Sequence, residues 1–459
     1  MLDFFCMMKS LLFAASMLLA SSVQVLAQEF ETATSAVKNM RVGWNLGNTL
    51  DANSGSTTNM WIEKYTQRKT SDYEKAWKQP VTTEALIKMF KDAGFNAIRV
   101  PVTWYPHMGV KVNDLNWDLS AWSPTQVDAA WMARVKEIVD YVVNNGMYCI
   151  INVHHDTGEA TTAWLRASTA NYNKYKDTFE NLWKQIATEF KDYDEHLLFE
   201  GYNEILDDYG SWCFASFAAP GKYNADSAAD SYKAVNLYAQ SFVDAVRATG
   251  GNNSYRNLII NSYCASNGSG NWNEHLLEPL KNLEYPKDEA KNHIAFQVHY
   301  YPNMNNLSWT MTECATMLSD IKKYLQNRAP VIFGEWGTTN DHVKDENGEY
   351  VDDYFTSYKQ NKVNFAKYFV EECKKAGIAT FYWMMLSDRE DRQNLKWTMP
   401  DLKDAIIKGY YGNDGYTSID GISETSSSKI LKPKKLIHKG KVIIANGDAK
   451  YTIAGTKLK

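Results

Sequence analysis

Two glutamates with similar surroundings stand out among the residues that could carry chemistry. Glu204 lies in "LLFEGYNEI" and Glu335 in "VIFGEWG", each at the end of an apolar run typical of a buried strand. An unpaired carboxylate in an apolar setting is costly, so such placement calls for a reason. Taken alone, each glutamate could equally be one partner of a structural ion pair. Together they match glycoside hydrolysis, which needs one protonated acid and one nucleophile or base.

Polar residues also end most of the other apolar runs. They supply amide, guanidinium, imidazole, hydroxyl and indole groups, and they are Asn45, Asn48, Arg99, His154, His155, Asp156, Asn203, His299, Tyr301 and Trp383. Glu200 would share a strand face with Glu204 but lie deeper, so we predict that it pairs with a cation such as Arg99. A purely structural sheet has little use for so many polar groups at one edge.

The tandem His154-His155 followed by Asp156 raises the question of a metal site. Adjacent residues on a strand point to opposite faces, so we do not expect both imidazoles to bind one ion. The ends of the neighbouring apolar runs do not supply further His or Asp ligands for a metal ion. Neither a G-x-S-x-G nor an H-E-x-x-H motif occurs. The sequence therefore predicts no metal and no cofactor.

These residues need a scaffold, and the chain alternates short apolar runs with helical patterns. Strands that are apolar nearly throughout and are each followed by a helix indicate a parallel sheet covered by helices. Eight runs favour an α/β fold of the (β/α)8 TIM-barrel type, a single catalytic domain over residues 28–412, with active residues at the C-terminal strand ends. The runs span 40–47, 96–102, 147–153, 196–204, 257–264, 293–301, 329–337 and 378–386.

The two ends of the chain differ from this pattern. Lys9, the apolar run "LLFAASMLLA" and the small-residue sequence "VLA" before Gln28 predict a secretory signal peptide over residues 1–27, and hence a secreted, cell-surface or periplasmic protein. The run is too short to predict a membrane span. Residues 413–459 begin as a polar linker and continue as a lysine-rich tail. A sorting tail, a small added domain and a disordered terminus all remain open for this segment.

The amino-acid composition limits the kinds of molecule that this protein is expected to bind. The net charge of −5 gives no electrostatic footprint for nucleic acid. The 15 Trp and 28 Tyr suit both a large core and surfaces that bind sugars. Trp44 is expected in the core, whereas Trp104 and Trp212 are candidates for a cleft wall. Five cysteines follow the leader, so they cannot all pair internally, and whether Cys213 and Cys264 pair is open. We expect a monomer.

Seven motifs in order resemble glycoside hydrolase family 5, the retaining β-glycanases with a (β/α)8 barrel. They are "GWNLGNTLDA", "GFNAIRVPVTW", "INVHHD", "GYNEI", "HYY", "FGEWG" and "FYW", and the resemblance runs from about residue 40 to about residue 411. The likeness is to secreted bacterial endo-β-1,4-glucanases, and the first motif resembles the subfamily active on cellulose, mixed-linkage glucan and xyloglucan. Two stretches, "WKQPVTT" and "MMLSDRED", depart from the family pattern and leave local sugar contacts open.

The resemblance implies a role for each candidate residue. Glu204 matches the acid/base and Glu335 the nucleophile. The other positions match groups that bind the sugar or orient the nucleophile: Asn48, Arg99, His154, His155, Asn203, His299, Tyr301 and Trp383. The implied activity is a secreted retaining endo-β-1,4-glucanase with a β-glucan substrate. A β-mannanase on the same fold and a non-catalytic carbohydrate-binding barrel are the alternatives.

Overall fold

The computed structural model describes residues 30–66, 69–108, 126–338, 343–344, 350–351, 358–412, 434–438, 441–446, 449–452 and 457–458. These residues form two compact units, divided between residues 416 and 417. The leader predicted over residues 1–27 lies outside the described residues, as does most of the predicted linker. The domain boundaries drawn from the sequence stay predictions.

The first unit is built around a closed barrel of eight parallel strands, each paired with the next along the chain and the last paired with the first. Gly43 on the first strand is paired with Phe381 on the last, which closes the barrel. The predicted (β/α)8 fold is confirmed. The strands are β1 Val42–Asn45, β2 Ala97–Val100, β3 Tyr148–Asn152, β4 Leu197–Glu200, β5 Leu258–Asn261, β6 Ile294–Tyr300, β7 Val331–Trp336 and β8 Ala379–Tyr382.

Helices follow each barrel strand and pack on its outer face, with one more helix preceding β1. They are α1 Ala33–Met40, α2 Trp61–Thr66, α3 Thr70–Ala76, α4 Glu84–Asp92, α5 Ala129–Asn144, α6 Thr169–Glu189, α7 Ala225–Arg247, α8 Glu278–Asn282, α9 Leu307–Ile321, α10 Lys359–Ala376, α11 Glu390–Gln393 and α12 Pro400–Tyr411. Several begin at a polar cap, as where Asp128 accepts from the N–H groups of Ala130 and Trp131. α10 ends at Gly377 in the left-handed conformation, which glycine adopts without strain.

Two apolar clusters hold the barrel together. The large one lies mainly between the sheet and the surrounding helices, and it includes Trp44, which stacks on Phe90 with ring centroids 3.9 Å apart. Trp44 is fully buried, as predicted. The smaller cluster joins barrel residues such as Ile150 and Ile332 to the apolar face of α1. The helix before β1 thereby shares a core with the barrel interior.

The barrel strands are shorter than the apolar runs that predicted them. β4 ends at Glu200, so Asn203 and Glu204 lie in the following loop and not on the strand. β3 likewise ends at Asn152, two residues before His154. Some of the polar residues at the ends of the runs therefore lie in the loops above the barrel, whereas Asn45, Arg99, His299 and Glu335 lie on strands. The second unit is a four-stranded antiparallel sheet of Lys434–His438, Lys441–Asn446, Ala449–Thr452 and Lys457–Leu458.

Candidate active site

A buried arginine connects the polar residues of four strand ends. Arg99, on β2, donates from Nε and Nη2 to both oxygens of Glu200 at 2.6 and 2.7 Å. Its Nη1 donates to Glu335 Oε1 at 2.8 Å and its Nη2 to Asn203 Oδ1 at 2.8 Å. A further bond from Nη1 reaches Asn45 Oδ1 at 2.9 Å. The predicted pairing of Glu200 with Arg99 is confirmed, and the planar guanidinium fixes three elements at once.

Glu335, near the end of β7, is held from both sides. Besides Arg99, the hydroxyl of Tyr301 donates to Glu335 Oε2 at 2.7 Å. Burial by itself raises the pKa of Glu335, but the positive charges near it and these two donors outweigh burial. The pKa of Glu335 therefore lies below its ordinary value, and the carboxylate is kept ionised.

Glu204 is in a different environment although it is close by. His299 Nδ1 lies 2.7 Å from Glu204 Oε1 and 3.6 Å from Glu335 Oε2. Burial is the largest influence on Glu204, and the negative charge of Glu335 adds to it, so the pKa of Glu204 is raised. Burial lowers the pKa of His299, yet the two carboxylates outweigh burial and raise it.

The two carboxyl groups are close enough to flank one glycosidic bond. An oxygen of Glu204, an oxygen of Glu335 and a nitrogen of His299 all lie within 4.8 Å of one another. Retaining glycosidases hold their carboxyl groups about 5–5.5 Å apart, and inverting enzymes hold them about 6.5–9.5 Å apart to admit a water. The separation is shorter than the inverting range and fits the retaining geometry, and the pKa of Glu335 is lowered while the pKa of Glu204 is raised.

His154 and Trp383 form a wall beside Glu335. His154 is buried, and its Nε2 lies 3.9 Å from Glu335 Oε1. The indole of Trp383 lies nearly parallel to the imidazole, with centroids 5.8 Å apart and an angle of 13° between the planes. Gly47 leaves room for this indole, because a Cβ at that position would lie 3.0 Å from the ring. Half-buried, the indole offers a flat face of the type on which sugar rings stack.

His155 and Asn48 lie beside this wall and contact a common residue, Asp51. His155 is partly exposed, its Nε2 lies 3.9 Å from Asp51 Oδ2, and its ring packs edge-on against Trp77. Asn48 has a left-handed backbone with a φ of 58°, and its N–H donates to Asp51 Oδ2 at 3.0 Å. Burial raises the pKa of Asp51 to about 6. The structure thus places Asn48 in a turn that Asp51 braces.

Two expectations from the sequence are wrong. The imidazoles of His154 and His155 do not point in opposite directions, since their centroids are only 4.5 Å apart. Both residues lie beyond the end of β3, where the alternation of a strand no longer holds. Trp104 is not part of a cleft wall, because it is fully buried and its Nε1 donates to the carbonyl of Asn152. Trp212 is partly exposed and donates to Glu159.

Comparisons with known proteins bear directly on this geometry. Residues 50–388 match the family model "Cellulase (glycosyl hydrolase family 5)". The chain belongs to glycosyl hydrolase family 5. Endoglucanase B of Clostridium cellulovorans is 30% identical over 411 residues, which cover 84% of this chain and 78% of that protein.

Solved structures of family 5 enzymes resemble the chain over most of its length. A GH5-4 broad-specificity endoglucanase from an uncultured bacterium is 49% identical with a TM-score of 0.73, covering 84% of this chain and 97% of that one. A family 5 enzyme from Prevotella bryantii B14, solved with a xyloglucan tetradecasaccharide, is 40% identical with a TM-score of 0.68, covering 83% and 99%. As a family 5 member, the chain is a glycoside hydrolase.

The family 5 site contains groups that the sequence analysis did not single out. Asn152, Asn261 and Asp51 are buried polar residues that contact the candidate site residues His154, Asn203 and Asn48 in turn. Asn152 had the same signal as Glu204, a polar residue at the end of an apolar run. Among the described residues, the five cysteines are free, and no helix is both long and apolar enough to cross a membrane.

Proposed function

We propose that this family 5 enzyme is an endo-β-1,4-glucanase that cleaves internal β-1,4-glucosidic bonds by double displacement. Glu335 is the nucleophile and Glu204 the acid/base. The observation that carries the proposal is the pair of carboxyl groups less than 4.8 Å apart whose pKa values are shifted in opposite directions. Two titratable groups pushed apart in this way divide into an acid and a nucleophile.

In the first step, Glu335 attacks the anomeric carbon while Glu204 gives its proton to the departing glycosidic oxygen. The bond between sugar and leaving group breaks as the glycosyl–Glu335 ester forms. The donors from Arg99 and Tyr301 keep Glu335 ionised for attack and aim its oxygens. The energetic gain comes from holding both reacting groups in place before the bond breaks.

In the second step, Glu204 acts as a base towards water. It takes a proton from the water that attacks the anomeric carbon, and the ester to Glu335 breaks with overall retention of configuration. His299, 2.7 Å from Glu204 Oε1, holds that carboxyl group in position through both steps. No metal or cofactor takes part in either step of this proposal.

The remaining residues are proposed to bind the sugar in the cleavage subsite. Asn203 Oδ1 accepts a hydrogen bond from Arg99. The amide N–H groups of Asn203 are therefore proposed to hold the sugar 2-hydroxyl, a contact that strengthens in the transition state. Trp383 supplies the stacking face and His154 a polar group beside it. His155 and Asn48 are proposed for the adjoining part of the cleft, next to Trp77 and Asp51.

The substrate is proposed from the relatives. Similar proteins include an endoglucanase, a broad-specificity endoglucanase and a family 5 enzyme solved with bound xyloglucan. A β-1,4-linked glucan, including mixed-linkage glucan and xyloglucan, is therefore the proposed polymer. We further propose export after cleavage before Gln28 and action as a monomer. N-terminal sequencing and light scattering of the mature protein test these two points.

A substrate screen with purified protein in EDTA tests the activity. The panel contains carboxymethylcellulose, barley β-glucan, xyloglucan, xylan and mannan, with Glu335→Gln as the matched control. Glucan cleavage that survives EDTA and vanishes in the variant is the expected result. Cleavage of mannan alone would replace the glucanase proposal with a mannanase. Binding without cleavage of any polymer would contradict both.

A further inference from the structure

The hydrogen bonds around Asn152, at the end of β3, allow only one orientation of its side-chain amide. Asn152 is fully buried, and its Oδ1 accepts a hydrogen bond from the backbone N–H of Val102 at 3.1 Å. Its Nδ2 donates to Glu200 Oε1 at 3.0 Å. A backbone N–H can only donate, and Glu200, ion-paired to Arg99, accepts. Exchanging the amide oxygen and nitrogen would leave both neighbours facing a like partner.

This fixed amide also determines where the imidazole of His154 carries its proton. Asn152 Nδ2 lies 3.0 Å from His154 Nδ1. Because an amide nitrogen only donates, Nδ1 must offer its lone pair and the ring proton must be on Nε2. The ring is also neutral, since burial and the nearby positive charge of Arg99 hold the pKa of His154 well below its usual range.

We infer that Asn152 is a positioning residue that holds His154 as the neutral Nε2–H tautomer. The single N–H donor of His154 is thereby directed towards Glu335 Oε1, 3.9 Å away, and towards the space beside it. Under the proposed function, on which this point rests, that space holds the sugar in the cleavage subsite. His154 can thus donate from Nε2 to a sugar oxygen bound beside Glu335, and it cannot act as a base through Nε2.

The same tautomer bears on the group formed by Asp51, His154 and His155. Ligand-type atoms of these three residues lie within 4.8 Å of one another. A histidine binds a metal through an unprotonated ring nitrogen, and the second ring nitrogen then carries the proton. In His154 the unprotonated nitrogen already faces the Asn152 amide. A cation would have to reverse the tautomer and lose that hydrogen bond.

The first test is an NMR measurement on the wild-type protein, which does not depend on turnover. Protein labelled with ¹⁵N at its nine histidines gives long-range ¹H–¹⁵N correlations that distinguish the two tautomers and the charged ring. The spectrum of His154→Gln identifies the His154 signals by their loss. A protonated Nε2 with an unprotonated Nδ1 at neutral pH is expected. A protonated Nδ1 or a charged ring would overturn the inference, whether or not the glucanase proposal holds.

A pair of variants separates the tautomer from the added charge. Asn152→Asp replaces the donor by an acceptor, so the proton of His154 should move to Nδ1. Asn261→Asp is the matched control, because Asn261 Nδ2 also donates to Glu200 Oε1, at 3.3 Å, and the contacts found for it do not include His154. The control should keep the Nε2–H tautomer. The same tautomer in both variants would contradict the assignment.

Kinetics on a soluble glucan then show whether Asn152 acts through His154. Asn152→Asp should lower kcat/KM by about tenfold or more, the size seen when an orienting partner is removed. In the His154→Gln background, Asn152→Asp should lower kcat/KM much less, because the imidazole that Asn152 orients is absent. Equal losses in both backgrounds would show that Asn152 acts independently of His154.

Discussion

At the scale of single residues, the site works because one cation serves two carboxylates in different ways. Glu200 takes both the Nε and one Nη of Arg99, while Glu335 shares the other Nη with Asn45. In a buried ion pair, the attraction between the charges offsets the cost of desolvation only when the geometry is good and the remaining donors form hydrogen bonds. Here all three guanidinium nitrogens are engaged. Glu335 can therefore stay charged within a buried site.

Tyr301→Phe should shift the pH dependence in a defined direction. The hydroxyl of Tyr301 stabilises the ionised form of Glu335, so its removal raises the pKa of that carboxyl group. A nucleophile must be ionised, and activity is lost as the pH falls through its pKa. The acid limb of kcat/KM against pH should therefore move to higher pH, as measured on a soluble glucan.

A neighbouring tyrosine provides the control for that experiment. Within the described part of the chain, the hydroxyl of Tyr300 is buried without a hydrogen-bond partner. Tyr300→Phe should leave the acid limb in place. An acid limb that stays still in Tyr301→Phe, or that moves equally in both variants, would disprove the assigned influence on Glu335.

Glu204→Ala should discriminate between substrates by their leaving groups. A glucan needs a proton on the departing oxygen, whereas an aryl glycoside with an acidic phenol departs with little help. Measured kcat/KM should fall by roughly 10²–10⁴-fold on glucan, the usual contribution of general acid catalysis, and by far less on the aryl substrate. Comparable losses on both would remove Glu204 from the acid role.

At the scale of elements, the sequence predicted the type and order of the barrel strands better than their ends. All eight apolar runs contain a strand, but Asn203, Glu204 and His154 lie beyond their strands. A run continues to look apolar past the last ladder hydrogen bond, because loop residues such as Tyr202 and Ile205 are also buried. The alternation of side chains fails at His154 and His155 because β3 ends at Asn152.

Gly43 offers a test of barrel closure between β1 and β8. A Cβ at this position would lie 2.3 Å from the ring of Phe381, which is too close for the side chain to accommodate without movement. Gly43→Ala should lower the free energy of unfolding by about 1–3 kcal/mol, the usual cost of overpacking. Urea unfolding measures this. Adding Phe381→Leu should recover part of the loss, and strictly additive losses would contradict the proposed clash.

At the scale of the whole molecule, a truncation tests whether the first of the two compact units carries the activity by itself. The candidate site is built entirely from residues between 45 and 383, all in the first unit. A chain that ends at residue 412 should keep its kcat/KM on soluble glucan and its thermal midpoint, because it retains the barrel and α12. A large loss of either would mean that residues 413–459 contribute to the catalytic unit.

Some features of the molecule could be predicted from the sequence, whereas others required coordinates. The family, the barrel and the set of polar strand-end residues follow from motifs that are local in the chain. The separation of the two carboxyl groups, the branching contacts of Arg99 and the burial of Trp104 depend on how distant strands are arranged around the barrel. Spacing along the chain has no information about such distances. Asn152 was missed because its role depends on three neighbours contributed by different segments.

The most direct test of the central claim is to trap the covalent intermediate. A cellobioside with fluorine in place of the 2-hydroxyl and a good leaving group forms the glycosyl-enzyme but hydrolyses slowly, since fluorine destabilises the positively charged transition state of both steps. Mass spectrometry of the digested protein should find the sugar on the peptide that contains Glu335. An adduct on the peptide with Glu204, or no adduct with an enzyme that inverts configuration, would contradict the double-displacement account.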